Sequence, residues 1–182
     1  MRGGGGATRV RGVWIFAYGS LLFRPGFDYA ERRRAFVDGY ERRLWQGSPD
    51  HRGVPEAPGR VLTLLPRDTA VCGGAAYRVS PSGADAILRA LDEREQAGFA
   101  RVTLPLLEAP GGRAFAQGVT WIAGPENPHY LGELPEPAIA AQVRARRGPS
   151  GENADYVRLV AEALRALGIE DAHLEAIVAG LG

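Results

Sequence analysis

The sequence contains no lysine and a single cysteine, Cys72. Without lysine there is no Schiff-base or general-base amine, and no phosphate-binding loop that ends in Gly-Lys. One cysteine excludes an intrachain disulfide and a cysteine-rich zinc site. Because Cys72 is flanked by glycines in a strand-like run, we interpret it as a packing residue rather than a nucleophile. These absences favour a reducing compartment.

Net charge and long apolar runs are also missing. The 22 basic and 21 acidic residues leave a formal charge of +1, so the arginine-rich runs 32–34 and 144–147 are interpreted as solvated faces rather than a nucleic-acid surface. The apolar stretch 13–23 is interrupted by Tyr18-Gly19-Ser20 and followed by Arg24-Pro25, which excludes a signal peptide or a membrane span. We therefore expect a cytoplasmic protein without nucleic-acid or membrane partners, and the sequence does not specify its oligomeric state.

Turn-forming residues are abundant, with 25 glycines and 13 prolines among 182 residues. We expect residues 1–12 to form a disordered tail and residues 13–182 a single domain. Strand-like patterns dominate the first two thirds and helical patterns the last, which predicts an α+β fold with a barrel-like, mostly antiparallel sheet. The predicted strands are residues 13–17, 36–40, 43–45, 60–65, 71–79, 102–107 and 115–122. The predicted helices are residues 81–98 with Ser80 as cap, 137–147, 155–167 with Asn153 as cap, and 171–178.

The turn that follows the first strand, Tyr18 to Leu21, is the first candidate site. Ser20 is not a nucleophile of the Gly-x-Ser-x-Gly type, because Leu22 stands where that motif needs glycine. A glycine at a strand end lets successive backbone N–H groups point into one concavity, where they bind a small anion such as a carboxylate. A plain tight turn explains the same residues, and both interpretations are open at this point.

The acidic run 92–95 contains the second candidate. Counting 100° per residue along the predicted helix, Glu95 falls in the centre of the apolar stripe, whereas Glu93 falls on the opposite, solvent side. Burial and the helix carboxyl end both disfavour a carboxylate anion, so the pKa of Glu95 should be raised, as suits a general base. The alternative is a structural ion pair between Glu95 and Arg94 or Arg101.

The segment 45–53 contains an acid, an imidazole and a guanidinium beside glycines. Asp50 would bind an ammonium group and Arg52 a carboxylate, so the loop is suited to a zwitterion. An internal Asp50–Arg52 pair that only stabilises the loop is the alternative. The three histidines, His51, His129 and His173, are widely separated and show no metal-ligand spacing, so we expect no metal and no cofactor.

Six segments, in this order, resemble the ChaC-type γ-glutamylcyclotransferases, the glutathione-specific branch of the γ-glutamylcyclotransferase-like fold. The resemblance covers nearly the whole chain from Val13 onward. The matching runs are residues 13–21, 45–53, 58–61, 91–95, 127–132, and 148–151 followed by Asn153 and Tyr156.

The resemblance implies a mostly antiparallel β-barrel with flanking helices and an enzyme that cyclises the γ-glutamyl group of reduced glutathione. The products would be 5-oxoproline and cysteinylglycine, and no cofactor would be needed. Glu95 would be the catalytic acid/base. The expected substrate-binding residues are Ile15, Phe16, Ala17, Tyr18, Gly19, Ser20, Leu21, Asp50, Arg52 and Tyr130. The alternatives are cyclisation of other γ-glutamyl amines or amino acids, and a ligand-binding barrel without activity.

Overall fold

The computed structural model describes residues 12–182, so the predicted tail lies outside the described residues except for Gly12. Five strands form a closed barrel in the order β1-β3-β2-β4-β5, antiparallel except where β1 and β5 run parallel. The predicted mostly antiparallel α+β barrel is therefore confirmed. The barrel strands are β1 (Val13–Ala17), β2 (Glu31–Ser48), β3 (Gly59–Val79), β4 (Ala100–Leu107) and β5 (Ala114–Ile122).

Four α-helices and one short 3-10 helix accompany the barrel in the described part of the chain. None of these helices is long and apolar enough to cross a membrane. A two-stranded ribbon, β6 with β7, precedes the third helix. The elements are the 3-10 helix Ser20–Leu22, α1 (Pro81–Arg94), α2 (Glu136–Arg144), β6 (Arg147–Gly148), β7 (Gly151–Glu152), α3 (Asn153–Ala166) and α4 (Ala172–Ala179).

Strands β2 and β3 are much longer than the sequence pattern predicted. Each of them joins two predicted strands into one element, 18 residues in β2 and 21 residues in β3. The apolar pattern fades at Gly39 and Pro66, but the ladder continues because register shifts near Asp38 and between Arg43 and Gln46 absorb the irregularities. Gly39 has φ of 79°, a conformation that glycine adopts without strain.

Ser80 occupies the N-cap position of α1 as predicted, but its side chain makes no capping bond, and the predicted Asn153 cap is wrong. The Ser80 side chain lies 2.9 Å from the Ser82 hydroxyl instead of capping α1. Asn153 is itself the first residue of α3, and its side chain bonds both backbone groups of Arg60: Oδ1 accepts from the Arg60 N–H at 2.7 Å, and Nδ2 donates to the Arg60 carbonyl at 2.8 Å. A partner distant in sequence therefore replaces the local cap.

Helix ends also differ from the predictions. Helix α1 ends at Arg94 instead of near Gly98, so that Glu95 occupies the C-cap position. Helix α2 ends at Arg144 because residues 147–148 enter the short ribbon. In α4, Asp171 accepts a hydrogen bond from the Leu174 amide at 3.0 Å and caps the helix.

The core fills the barrel and extends between its wall and helices α2, α3 and α4. Helix α3 buries one face at i, i+3 and i+4 spacing, and this face packs against β3 and the 3-10 helix. Its buried residues are Asn153, Tyr156, Val157, Val160, Ala161 and Leu164. The packing places the first turn of α3 beside the turn that follows β1.

Replacing Asn153 with alanine should lower the free energy of unfolding by about 2–6 kcal/mol. The change leaves the buried N–H and C=O of Arg60 unpaired, and each unpaired group costs about 1–3 kcal/mol. Asp155→Asn, at an exposed position in the same turn of α3, should change that free energy by less than about 0.5 kcal/mol. Urea unfolding measures both. Equal stability of the two variants would show that the Asn153 bonds do not hold α3 to β3.

Candidate active site

A cavity of about 400 Å³ opens at one end of the barrel. It is bounded by the turn after β1, the loop after β2, the residues after α1, and Tyr156 from the first turn of α3. Three segments singled out from the sequence therefore meet around one space, although they are up to about 80 residues apart. The predicted site residues that line it are Phe16, Ala17, Tyr18, Gly19, Ser20, Leu21, Asp50, Arg52 and Glu95.

The turn after β1 is held in place by side chains of the barrel. The Tyr18 hydroxyl donates to the Trp121 carbonyl at 2.6 Å, and the buried Arg42 guanidinium donates to the Tyr18 carbonyl at 2.9 Å. Ser20 and Leu21 begin the 3-10 helix, so no preceding turn supplies their amides with carbonyl acceptors. The turn lines the cavity, as the anion-binding interpretation requires.

Glu95 lies at the C-cap of α1, where its amide still donates to the Leu91 carbonyl at 3.0 Å. Its side chain is 21% exposed and lines the cavity, while Glu93 is exposed. Burial raises the pKa of the Glu95 carboxyl, with Arg94 and His51 lowering the pKa and Asp50 raising it further. The carboxylate is therefore partly desolvated and faces the same space as the β1 turn.

The structure gives little support to the alternative in which Glu95 forms a structural ion pair with Arg94 or Arg101. Arg94 Nε is 3.8 Å from Glu95 Oε1, but the Arg94 guanidinium also donates to the Ser20 hydroxyl and to the Arg24 carbonyl, both at 3.0 Å. Arg101 pairs with Asp92 at 3.5 Å instead. Arg94, at the C-terminal end of α1, therefore bonds the β1 turn at a shorter distance than it pairs with Glu95.

The loop after β2 is organised around the Ser48 hydroxyl. This oxygen accepts from the amides of His51 and Arg52 at 3.3 and 3.1 Å and donates to Asp50 Oδ1 at 3.3 Å. Among the described residues Asp50 and Arg52 form no ion pair with each other, which argues against the internal-pair alternative. The Arg52 guanidinium donates to the Glu152 carbonyl at 3.0 Å, and its burial lowers its pKa.

Tyr156 is a cavity residue to which the sequence analysis gave no role: it belongs to the last of the matching runs, but in α3 it occupies an apolar, buried position. Its ring packs edge-on to Phe23, and the Arg52 guanidinium lies 5.5 Å from its centre. Burial raises the pKa of Tyr156 to about 12, and the charge of Glu95 adds to that shift. The same two causes raise the pKa of Tyr18.

Two of the expected binding residues do not line the cavity. Ile15 is completely buried in the middle of β1, between Tyr77 on β3 and Val119 on β5, where no space opens. Tyr130 pairs with Gln46 in an isolated bridge; burial and the charge of Glu133 raise its pKa and Arg60 lowers it, while Glu95 is not among the causes. Both positions follow from backbone pairing with partners that are distant in sequence.

The segment that contains Tyr130 braces the residues after Glu95 instead. Asn127 Nδ2 donates to the Ala97 carbonyl at 2.8 Å, and Asn127 Oδ1 accepts from Gln46 Nε2 at 3.2 Å. Gly98, with φ of 81°, lies so close to the Asn127 amide that no side chain fits there. This segment therefore acts on the cavity through the backbone that follows Glu95.

The described residues contain no cluster of side chains that could bind a metal ion. Within residues 12–182, no group of three or more histidine, cysteine, aspartate or glutamate side chains is placed to hold a metal ion. Cys72 is buried, and burial raises the pKa of its thiol to about 11.

Comparisons with known proteins agree with this geometry. A crystal structure of a γ-glutamyl cyclotransferase specific to glutathione from yeast superposes with a TM-score of 0.84 at 26% identity, covering 94% of this chain and 96% of the yeast chain. The human glutathione-specific γ-glutamylcyclotransferase 1 is 42% identical over 176 residues, which are 93% of this chain and 78% of the human protein. The Schizosaccharomyces pombe glutathione-specific γ-glutamylcyclotransferase is 30% identical, over 87% of this chain and 85% of the yeast protein. The family model described as ChaC-like protein matches residues 13–181, and the chain therefore belongs to the ChaC-like family.

Proposed function

We propose that this protein is a glutathione-specific γ-glutamylcyclotransferase, which converts reduced glutathione into 5-oxoproline and cysteinylglycine. The observation that carries the proposal is the partly buried Glu95 carboxylate, which lines the same cavity as the β1 turn. The relatives named as glutathione-specific enzymes support the substrate class.

The charges around the cavity suit this substrate. Its lining contains three guanidiniums, from Arg24, Arg52 and Arg94, and two carboxylates, from Asp50 and Glu95. Glutathione carries two carboxylates and one ammonium at neutral pH, so its net charge is opposite to that of the cavity. We assign one substrate carboxylate to Arg52 and the ammonium to the side of Asp50 and Glu95.

The reaction needs no nucleophile from the protein. The α-amine of the γ-glutamyl group attacks its own γ-carbonyl carbon, and the electron pair of the C=O bond moves to oxygen. When the carbonyl re-forms, the bond to the cysteine nitrogen breaks and the five-membered ring of 5-oxoproline is complete. Holding the chain in this folded conformation is an effective-molarity contribution that the β1 turn supplies.

Glu95 performs both proton transfers in the proposed mechanism. The bound ammonium first releases one proton to solvent and becomes the amine that attacks. As a carboxylate, Glu95 then removes a second proton from this nitrogen as it bonds to the γ-carbon, and as a carboxylic acid it returns that proton to the departing cysteine nitrogen. The raised pKa brings these two forms closer in free energy at neutral pH, which favours a group that must act as base and then as acid.

The remaining contacts follow from the lining of the cavity. Phe16, Ala17 and Tyr18 to Leu21 would surround the γ-glutamyl group, with the Ser20 and Leu21 amides as anion donors. Ile15 and Tyr130 do not belong to this contact set, because neither lines the cavity.

A substrate panel tests the proposed function directly. The purified protein is incubated with reduced glutathione, γ-glutamyl amino acids and γ-glutamyl amines, and 5-oxoproline is measured. We expect the highest kcat/KM with glutathione: Arg52 and Arg24 can bind a second carboxylate, which the amines lack, and the relatives named as glutathione-specific favour glutathione over γ-glutamyl amino acids. Faster turnover of simple γ-glutamyl amino acids would assign the activity to another γ-glutamyl substrate, and no 5-oxoproline from any compound would leave the ligand-binding alternative.

Glu95→Gln should lower kcat at least about 10²-fold, since it removes the base and keeps the shape of the side chain. Calorimetric titration should still detect glutathione binding to the variant. The matched control is Glu93→Gln, the same change two residues away on the exposed side of α1, and its kcat should equal that of the wild type. Activity in both variants would exclude Glu95 as the base. Inactivity of Glu93→Gln alone would show that Glu93, and not Glu95, is the base.

The pH dependence of kcat/KM should show an acid limb above the ordinary titration range of a glutamate. A raised pKa keeps Glu95 protonated to higher pH, so activity is lost as the pH falls through that pKa. Arg94→Gln removes the cation that most lowers the pKa of Glu95, so the limb should move to higher pH. Arg101→Gln is the control, because Arg101 pairs with Asp92, and its limb should stay in place. If the acid limb stays at the same pH in Arg94→Gln, the limb belongs to a group other than Glu95.

A further inference from the structure

The hydroxyl of Tyr156 is a polar group in the cavity that the mechanism above does not use. Tyr156 is only 4% exposed, yet it lines the cavity. Burial keeps the phenol protonated throughout the neutral range, because it raises the pKa to about 12. The side chain therefore brings one O–H donor to the cavity wall.

The hydrogen bonds of this hydroxyl are asymmetric. The Leu62 amide donates to it at 3.1 Å, so one lone pair is occupied, but its own proton reaches no acceptor among the described residues. Two other buried tyrosines differ: Tyr18 donates to the Trp121 carbonyl at 2.6 Å, and Tyr77 donates to the Leu21 carbonyl at 2.9 Å. Of these three hydroxyls, only that of Tyr156 has a proton left for a ligand.

The hydroxyl also lies near both parts of the site that act on the substrate. It is 3.2 Å from the point that a Cβ on Gly19 would occupy, so it touches the β1 turn. Glu95 lines the same cavity, and its charge raises the pKa of the phenol. In the cyclisation, the amine that Glu95 deprotonates bonds to the γ-carbonyl carbon held by the turn, so a donor near both groups can reach the γ-carbonyl oxygen.

We propose that Tyr156 is a catalytic residue whose hydroxyl donates a hydrogen bond to the γ-carbonyl oxygen of the substrate. This inference rests on the proposed function. As the amine nitrogen bonds to the γ-carbon, negative charge develops on that oxygen, and the hydrogen bond strengthens until the carbonyl re-forms and the cysteine nitrogen leaves. Tyr156 keeps its proton in every step, and Glu95 carries the proton that moves.

The arrangement is pre-organised by neighbours that do not touch the substrate oxygen. The Leu62 amide fixes the direction of the hydroxyl, and the Arg52 guanidinium over the ring favours a more polarised O–H bond. A donor fixed before the reaction loses no free energy to reorganisation as charge develops, which is the basis of oxyanion stabilisation.

Tyr156→Phe tests the inference. We expect kcat to fall about 10²- to 10³-fold, the loss typical of one oxyanion donor. Glutathione affinity, measured calorimetrically by comparing Glu95→Gln with Glu95→Gln/Tyr156→Phe, should change less than about tenfold, since the neutral carbonyl accepts a weaker hydrogen bond than the oxyanion. Tyr40→Phe removes a phenol outside the cavity and should keep the wild-type kcat. The Tm of each variant, measured in parallel, must exceed the assay temperature.

Fluorinated tyrosines placed at position 156 keep the side-chain shape and serve as the second measurement. Each added fluorine lowers the pKa of the phenol, and a phenolate cannot donate, so a basic limb of kcat should appear and move to lower pH as fluorines are added. A merely structural tyrosine would give no such limb.

Three results would overturn the inference while wild type remains active: a Tyr156→Phe kcat within about threefold of wild type, an equal loss of glutathione affinity and of kcat, or a pH profile unmoved by fluorination. Absence of 5-oxoproline formation by the wild-type protein would instead reject the proposed function itself, so the two failures are separable.

Discussion

The architecture of the site depends on the part of the β3 edge that β1 leaves unpaired, and on the side chains that form hydrogen bonds with its backbone. Strand β3 has 21 residues, but β1 pairs only with its last five, Ala75 to Val79. At the other end of β3, side chains of α3 bond the backbone: Asn153 holds both groups of Arg60, and Tyr156 accepts from Leu62. Because unpaired backbone groups are costly inside a protein, this contact fixes the helix on the barrel. The same contact brings the Tyr156 hydroxyl to the cavity.

In this lysine-free chain, buried arginine side chains hold loops and strands together through hydrogen bonds to backbone carbonyls. The buried Arg42 guanidinium donates to the Tyr18 and Gly73 carbonyls and pairs with Asp171 at 2.8 Å, linking the β1 turn to the cap of α4. Arg60 donates to the Leu44 and Gly132 carbonyls at 3.1 and 3.0 Å. A planar guanidinium with five donors can bond several carbonyls at once, which a lysine ammonium cannot do with the same geometry. The backbone around the cavity is consequently held by charged hydrogen bonds.

Chemical reactivity in the site comes from differences in burial among similar groups. Glu93 and Glu95 lie two residues apart at the end of α1, but Glu93 is exposed, whereas Glu95 lines the cavity and burial raises its pKa. A cysteine thiol is the most nucleophilic kind of side chain in the chain, but Cys72 does not line the cavity. Burial also raises the pKa of its thiol to about 11. The fold thus presents a carboxylate and hydroxyl groups to the cavity rather than a nucleophile, which matches a reaction in which the substrate supplies its own nucleophile.

Local patterns determined much of this protein. The apolar run of β1, the turn at Gly19 and the helical phase that separates Glu95 from Glu93 depend on near neighbours, so the sequence predicted them, and the matched motifs indicated the family. The single domain over residues 13–182 stays a prediction. Tertiary structure decided the rest: whether β2 and β3 continue through Gly39 and Pro66, that Asn153 bonds Arg60 instead of capping its helix, that Tyr130 lies outside the cavity, and that Tyr156 lines it. Each of these depends on a partner dozens of residues away, and a periodic pattern records which face of an element is apolar but not what that face will contact.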